Sequence, residues 1–354
     1  MAKKEFVQLA HTFDPGKHLV AGAYASQKLD GERAIWDGGA SRGFDAEFVP
    51  YANTIKDARR KRAQIATGLW SRTGKIIFAP DWFLALLPPY PLDGELWAGV
   101  QNWQQLSSIV HKEFPDDRWR LVEFKIIDSP PIESLFAPRE VKVRGDYTFE
   151  IKANALEWVS KRIKNRGIPA HWNFEFAYRW LMNRFPSEGQ VSLIPQIELP
   201  FNNFKAIEKL GSFVEEVVDD GGEGVVIRRR TGLWTPERSW DLLKYKPYKD
   251  AEATVIGYFA GKETDKGSKL LGKVGAFEVD YQGTIFKLSG FTDAERILPT
   301  SAEEWAAKNP GSRLPEEFQS SVFPRGSTVT FRYRELSDDG TPKEARYLRS
   351  ENDE

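Results

Sequence analysis

Lys28, Asp30-Gly31 and Arg33 stand in the order K-x-D-G-x-R within SQKLDGER, Ser26 to Arg33. A lysine is a nucleophile only as the neutral amine, so a site that uses one must favour that form by burial or by nearby positive charge. LLKYKPYKDAE, Leu242 to Glu252, offers such charge, because strand periodicity puts Lys244 and Lys246 on one face with Leu243 and Tyr245 on the other. Like charges so close repel unless an anion lies between them. The pair would therefore hold a phosphate and favour a neutral amine at a neighbouring Lys28. LDGELW places Glu95 just after a second Asp-Gly pair, and GGEGVVIRRR places Glu223 at the mouth of a strongly β-forming run. Two carboxylates at strand ends suit a Mg2+ ion bridging phosphate oxygens, since magnesium takes one or two carboxylates and keeps several waters. In Ser71-Arg72-Thr73-Gly74-Lys75 a serine, an arginine and a lysine could together hold a phosphate. Taken singly, each of these segments also fits a solvated turn.

The elements that must carry these residues follow from turn signals and periodicity. Lys28 ends an extended run from Ala21. Asp30-Gly31 reads as a hairpin turn, and Glu32 to Trp36 as the return strand before a second turn at Asp37-Gly38-Gly39. Lys28 and Arg33 would then flank one turn. Helices are expected over Asn102 to His111, Ala153 to Asn165, Phe174 to Phe185 and Phe204 to Val218, with Leu156, Val159 and Ile163, and Phe174, Tyr178 and Leu181, as core stripes. After Lys246-Pro247-Tyr248 the texture changes to strands between glycine loops: Thr254 to Phe259, Gly275 to Tyr281, Thr284 to Leu288 and Ser327 to Tyr333. A five-stranded OB barrel fits that size and spacing. The expected class is α+β, with domains over residues 1–248 and 249–354.

At 354 residues and 41% hydrophobic content the chain can bury a full core in about two domains. No run of about 18 apolar residues could span a bilayer, and MAKKEF leads into His11-Thr12-Phe13-Asp14 without the apolar stretch of a signal peptide. The expected location is the cytoplasm, with no membrane partner. Zero cysteines exclude disulfides and thiolate metal sites, and His11, His18, His111 and His171 are too scattered to form a metal cluster. The net charge of -1 hides strong segregation: Lys56, Arg59, Arg60, Lys61, Arg62, Arg72 and Lys75 face only Asp57 between residues 56 and 75. A second basic block runs from Arg228 to Lys249, and the last residues are acidic. Such polarity suits an enzyme with one face for phosphates. A solvated helix face explains Arg59 to Arg62 equally well.

Five motifs in this order resemble the covalent nucleotidyltransferases, and within them the ATP-dependent DNA ligases of the small bacterial and bacteriophage type. SQKLDGER is similar to the adenylation motif, SRTGKIIFAPDWF to motif Ia, LDGELWAG with LSSIV to motif III, GGEGVVIR to motif IV and LLKYKPYKDAEATVIGY to motif V. LGKVGAFEVDYQGTIFKLSGFTDAER and VTFRYRELSDDGTP resemble the ligase OB domain. The resemblance covers most of the chain. It implies an ATP-grasp-like adenylyltransferase domain of antiparallel sheets and helices followed by an all-β OB barrel. It also implies a monomer that uses ATP and Mg2+, with Mn2+ as a substitute, to seal nicked double-stranded DNA.

Carried over by position, the resemblance implies that Lys28 attacks the α-phosphate of ATP to form lysyl-AMP and that Arg33 contacts the nucleotide. Arg72, with Ser71, would bind the 5'-phosphate of the nick. Glu95 would contact the ribose or a metal, Glu223 would position Mg2+, and Lys244 with Lys246 would hold the α-phosphate. AMP then passes to the 5'-phosphate, and the 3'-hydroxyl displaces it.

Three departures stand out. In WRLVEFKIID the aromatic that stacks on adenine has two registers: Phe124, preferred because a base needs a π-face, or the position of Ile127 on the opposite strand face. Phe124 also reads as core. Ser26 occupies the place of a glutamate that reads the adenine amino group in many relatives, which shifts adenine readout toward backbone contacts. Arg349, matched to a pyrophosphate-orienting arginine, is followed by Glu351 where relatives often carry a second arginine.

Two segments, about Gly39 to Leu69 and about Glu140 to Gly189, read as insertions that widen contact with duplex phosphates. An NAD-dependent ligase is disfavoured, since only 27 residues precede Lys28 and no zinc site exists. An RNA ligase or a capping guanylyltransferase shares the lysine chemistry. A non-catalytic OB-fold nucleic-acid-binding protein is the rival from another class.

Overall fold

A computed structural model of the chain describes residues 4–54, 64–145, 147–263, 267, 269–337 and 339–348. The chain divides into two compact units, Met1–Tyr245 and Lys246–Glu354. That division falls three residues before the expected one, so Lys246-Pro247-Tyr248 opens the second unit.

The first unit carries β1 (Leu9–Thr12), β2 (Tyr24–Gln27), β3 (Glu32–Asp37), β4 (Leu69–Ser71), β5 (Pro91–Trp97) and β6 (Glu123–Asp128). It continues with β7 (Arg139–Arg144), β8 (Tyr147–Ile151), β9 (Val191–Leu193), β10 (Ile197–Glu198), β11 (Val225–Arg228) and β12 (Arg238–Tyr245). Two five-stranded sheets result, in the orders β1-β12-β11-β2-β10 and β4-β3-β5-β6-β9, with β7-β8 as a separate hairpin. Both sheets are mostly antiparallel, with parallel pairs at β1-β12 and β6-β9.

One face of the first sheet packs Ala25, Val225, Ile227 and Leu243 against the helix Asn203–Asp219. That helix starts where the Asn202 side chain accepts from the Lys205 amide, and it buries Ala206, Leu210, Val214 and Val217 at helical spacing. The second sheet buries Leu92, Leu96, Phe124 and Ile126 with Phe174, Tyr178 and Leu181 of the helix Phe174–Met182. The helix expected over Ala153 to Asn165 is only Ala155–Ser160, although its Val159 is core as expected. Helical bonding runs on only to Ile163, whose amide bonds the Val159 carbonyl, and the Asn165 amide bonds the Pro89 carbonyl instead.

The expected hairpin at Asp30-Gly31 does not form. β2 and β3 belong to different sheets, and the K-x-D-G-x-R segment is the crossover between them. Gly31 is needed there because a Cβ would stand 2.3 Å from the Leu96 carbonyl oxygen. Glycine thus signals a close approach here rather than a turn. Asp93-Gly94 is likewise no turn: both lie inside β5, where a Cβ on Gly94 would meet the Phe124 ring at 2.5 Å. The second expected turn is present, with Gly38 and Gly39 at φ 77 and 80.

The second unit holds β13 (Lys249–Ala260), β14 (Val274–Tyr281), β15 (Thr284–Leu288), β16 (Thr328–Tyr333), β17 (Glu335–Leu336), β18 (Pro342–Lys343) and β19 (Arg346–Tyr347). Its five-stranded sheet runs β15-β14-β13-β16-β19 and wraps a core of Val255, Tyr258, Phe277, Val279, Leu288 and Phe331. The edges meet at a single bridge, Ser289 to Arg346, so among the described residues the sheet curls toward closure without a continuous ladder. A partly open barrel is the OB pattern. Among the described residues no helix is long and apolar enough to cross a membrane.

Candidate active site

A cavity of about 200 Å³ opens between the two sheets of the first unit. The first sheet supplies Ser26, Val226, Arg228 and Lys244, with Lys28 just past the end of β2; the second supplies Arg33, Glu95 and Ile127. Register explains the alignment. Ser26 pairs with Val226 and Val226 with Lys244, so the three lie side by side on one face. Leu243 and Tyr245 point to the opposite face, where Leu243 is core and Tyr245 packs beside it. Arg72 reaches the rim from the loop after β4. Five residues singled out from four separate segments, Lys28, Arg33, Arg72, Glu95 and Lys244, therefore line one cavity.

Lys28 is fixed at both ends. Its amide donates to the Gly224 carbonyl at 2.8 Å, and its Nζ forms a short ion pair with Glu223. Glu223 thus sits against the nucleophile rather than on the cavity wall. Arg33 donates Nε and an NH2 group to the two Asp93 oxygens at 2.5 and 2.7 Å, and Trp234 donates to Asp93 at 2.9 Å. Such a fork fixes the plane of the guanidinium. Arg228, a wall residue, is paired with fully buried Asp128 of β6, and this ion pair ties the first sheet to the second. Asp93, Asp128 and Arg228 were not singled out from sequence, because Asp93 reads as a turn residue and Asp128 as a strand end. Their one legible signal is an acid or a base within an otherwise apolar run.

Burial raises the Glu95 carboxyl to about 7, against the opposing pull of Arg33 and Lys28. Among the described residues Glu95 accepts no hydrogen bond, so its cost of desolvation is met only by charges at a distance. A divalent cation coordinated there would meet it directly. Glu95 therefore fits a Mg2+ ligand. Glu223 is paired with Lys28 through one of its two carboxylate oxygens. No group of three or more metal-ligating side chains exists among the described residues.

Residues 267–350 match the family model described as a DNA ligase OB-like domain. Over 97% of its length the chain is 25% identical to a curated DNA ligase of Haemophilus influenzae, covering 91% of that protein. A solved structure of the Lig E DNA ligases superimposes with a TM-score of 0.57 at 25% identity, covering 97% of this chain and 98% of that one. A second structure, Pmar-Lig_PreS3, shares the fold at 19% identity and a TM-score of 0.56, over 98% of this chain and 67% of the other. The similarity thus runs through both units. The proteins that it resembles, over the OB-like segment and over nearly its whole length, are DNA ligases.

Among the described residues, Phe124, Ser71 and Lys246 do not line this cavity. Phe124 is fully buried in the core, so it cannot stack on a base in the cavity. β6 alternates strictly, which turns Phe124, Ile126 and Asp128 inward and presents Ile127 to the cavity, where it lies with Ile194. Of the two registers, the one at Ile127 faces the cavity. Ser71 is absent from the cavity wall because its hydroxyl is spent within the turn, accepting from the Thr73 and Lys75 amides and bonding the Thr73 hydroxyl. Lys246 belongs to the second unit. Arg349 and the Arg59 to Arg62 tetrad lie outside the described residues.

Proposed function

We propose that this protein uses ATP to seal nicks in duplex DNA through a lysyl-AMP intermediate on Lys28. The observation that carries the reading is one cavity lined by Lys28, Lys244, three arginines (Arg33, Arg72 and Arg228) and Glu95, with Glu223 paired to Lys28. ATP would lie with its base against Ile127 and Ile194 and its α-phosphate between Lys28 and Lys244. Glu223, already bonded to Nζ, accepts the lysine proton, and the neutral amine displaces pyrophosphate from the α-phosphorus. Lys244 balances the charge that builds on the α-phosphate oxygens. Glu95 would hold Mg2+, which supplies charge neutralisation on the phosphates. Arg33, locked by Asp93, contacts the nucleotide as a pre-set donor.

In the second and third steps the AMP moves from Lys28 to the 5'-phosphate of the nick, and the 3'-hydroxyl then displaces AMP. Arg72, exposed at the rim and without an ion pair among the described residues, is placed to bind that 5'-phosphate. The expected working form is a cytoplasmic monomer. Incubation with labelled ATP or GTP, then with nicked DNA or nicked RNA, tests the reading. Labelling by ATP at Lys28 and sealing of DNA are expected; labelling by GTP alone, or sealing only of RNA, would overturn it.

A further inference from the structure

The loop that carries Arg72 is held from inside and from outside. Within it, Ser71 N bonds Lys75 O at 2.8 Å and Gly74 N bonds Ser71 O at 2.9 Å, which leaves the Thr73 and Gly74 carbonyls facing away from the turn. Both are taken by one residue. The Asn53 backbone N–H donates to Gly74 O at 2.8 Å, and Asn53 Nδ2 donates to Thr73 O at 2.8 Å. A carbonyl can only accept, so the amide nitrogen must face Thr73 and the amide oxygen must face the other way. There Tyr147 Oη donates to Asn53 Oδ1 at 3.0 Å. The amide is buried with both ends satisfied, so it has one orientation.

The same hairpin closes the loop from above. Gly74 has φ 73, and a Cβ on it would stand 2.4 Å from Cζ of Phe149, whose ring packs edge-on against Phe6 in the core. The hairpin is itself pinned, with Lys142 N bonding Lys4 O and Lys152 N bonding Pro50 O. Tyr147 and Phe149 belong to β8, within the segment near residues 140–189 expected from sequence to touch duplex phosphates.

We propose that Asn53 and Tyr147 are positioning residues for Arg72, a brace that presets the guanidinium for the 5'-phosphate of the nick. This rests on the reading of Arg72 given above. A preset arm loses less conformational freedom on binding, so the brace acts on affinity for nicked DNA rather than on chemistry within the bound complex.

Steady-state sealing of a nicked duplex by the full chain tests the proposal in two backgrounds. With Arg72 intact, Asn53→Ala is expected to raise KM for nicked DNA about tenfold and Tyr147→Phe about threefold, with kcat changed less than about twofold. With Arg72→Ala, neither substitution should raise KM further, because both act through the missing guanidinium. Equal increases in the two backgrounds, or no increase in either, would overturn the brace. Tyr147→Phe keeps the ring and the hairpin, so it decides the matter even where Asn53→Ala fails to fold. Arg72→Ala alone leaving KM unchanged would instead remove the phosphate role of Arg72, whereas an Arg72→Ala defect with silent Asn53 and Tyr147 variants would sink the brace alone.

Discussion

At the scale of single residues, the pairing of Lys28 with Glu223 sets what the first step needs. Lys28→Ala should abolish both labelling by ATP and sealing. Lys28→Arg should do the same, since a guanidinium stays protonated and cannot attack phosphorus. If Lys28→Ala still sealed nicks, the covalent route would be wrong. Glu95 carries a pH signature. An acid with a raised value in the fold is protonated in both states below its ordinary 4.5 and ionised in both above about 7, so its ionisation costs the metal-free fold stability as pH rises between those limits. The full shift corresponds to roughly 3 kcal/mol. Glu95→Gln should flatten that part of the melting curve against pH, and wild-type Mg2+ affinity should weaken as pH falls below about 7. A melting profile identical in wild type and Glu95→Gln would refute the assignment. Ile127→Ala should raise KM for ATP by about tenfold through lost contact with the base, while Phe124→Leu should lower the melting temperature and leave KM for ATP alone. The reverse pattern would restore Phe124 as the stacking residue.

At the scale of elements, the site exists because two sheets are held at a fixed separation. Two features do this: the glycine crossover at Asp30-Gly31 and the buried Arg228 to Asp128 pair. Gly31→Ala should cost about 1–3 kcal/mol, because the methyl must displace a backbone carbonyl rather than a flexible side chain. Asp128→Ala should cost about 3–5 kcal/mol by leaving a buried guanidinium unpaired. Chemical denaturation of each variant measures both. A Gly31→Ala protein as stable as wild type would mean that β5 gives way without loss. The sequence showed Gly31 as a turn former, which is its commoner use. Its use as a spacer depends on Leu96, far along the chain, and no local signal carries that.

At the scale of the whole molecule, a net charge of -1 must be reconciled with a polyanionic partner. The answer lies in segregation, with basic blocks near residues 56–75 and 228–249 set against an acidic tail. Neutralising Arg59 to Arg62 should flatten the dependence of nicked-DNA affinity on salt, by up to about 0.9 in slope for each phosphate contact removed. An unchanged slope would take that tetrad out of the interface. The 140–189 insertion has another visible task. Its hairpin packs on the Arg72 loop, in addition to any contact with the duplex.

The sequence by itself determined the candidate nucleophile, the charges expected around it and the second unit's strands, because those depend on residue type and short-range periodicity. Lys28, Arg33, Glu95 and Lys244 are legible in that way, and so is the alternation that puts Lys244 opposite Leu243. The tertiary structure alone decided what lies between distant segments. It put β2 and β3 in different sheets, turned Ile127 rather than Phe124 to the cavity, set Glu223 against Lys28, and joined Asp93 to Arg33. Each of these depends on which face of one strand meets another strand tens of residues away, and hydrogen-bond register across a sheet leaves no trace in local composition.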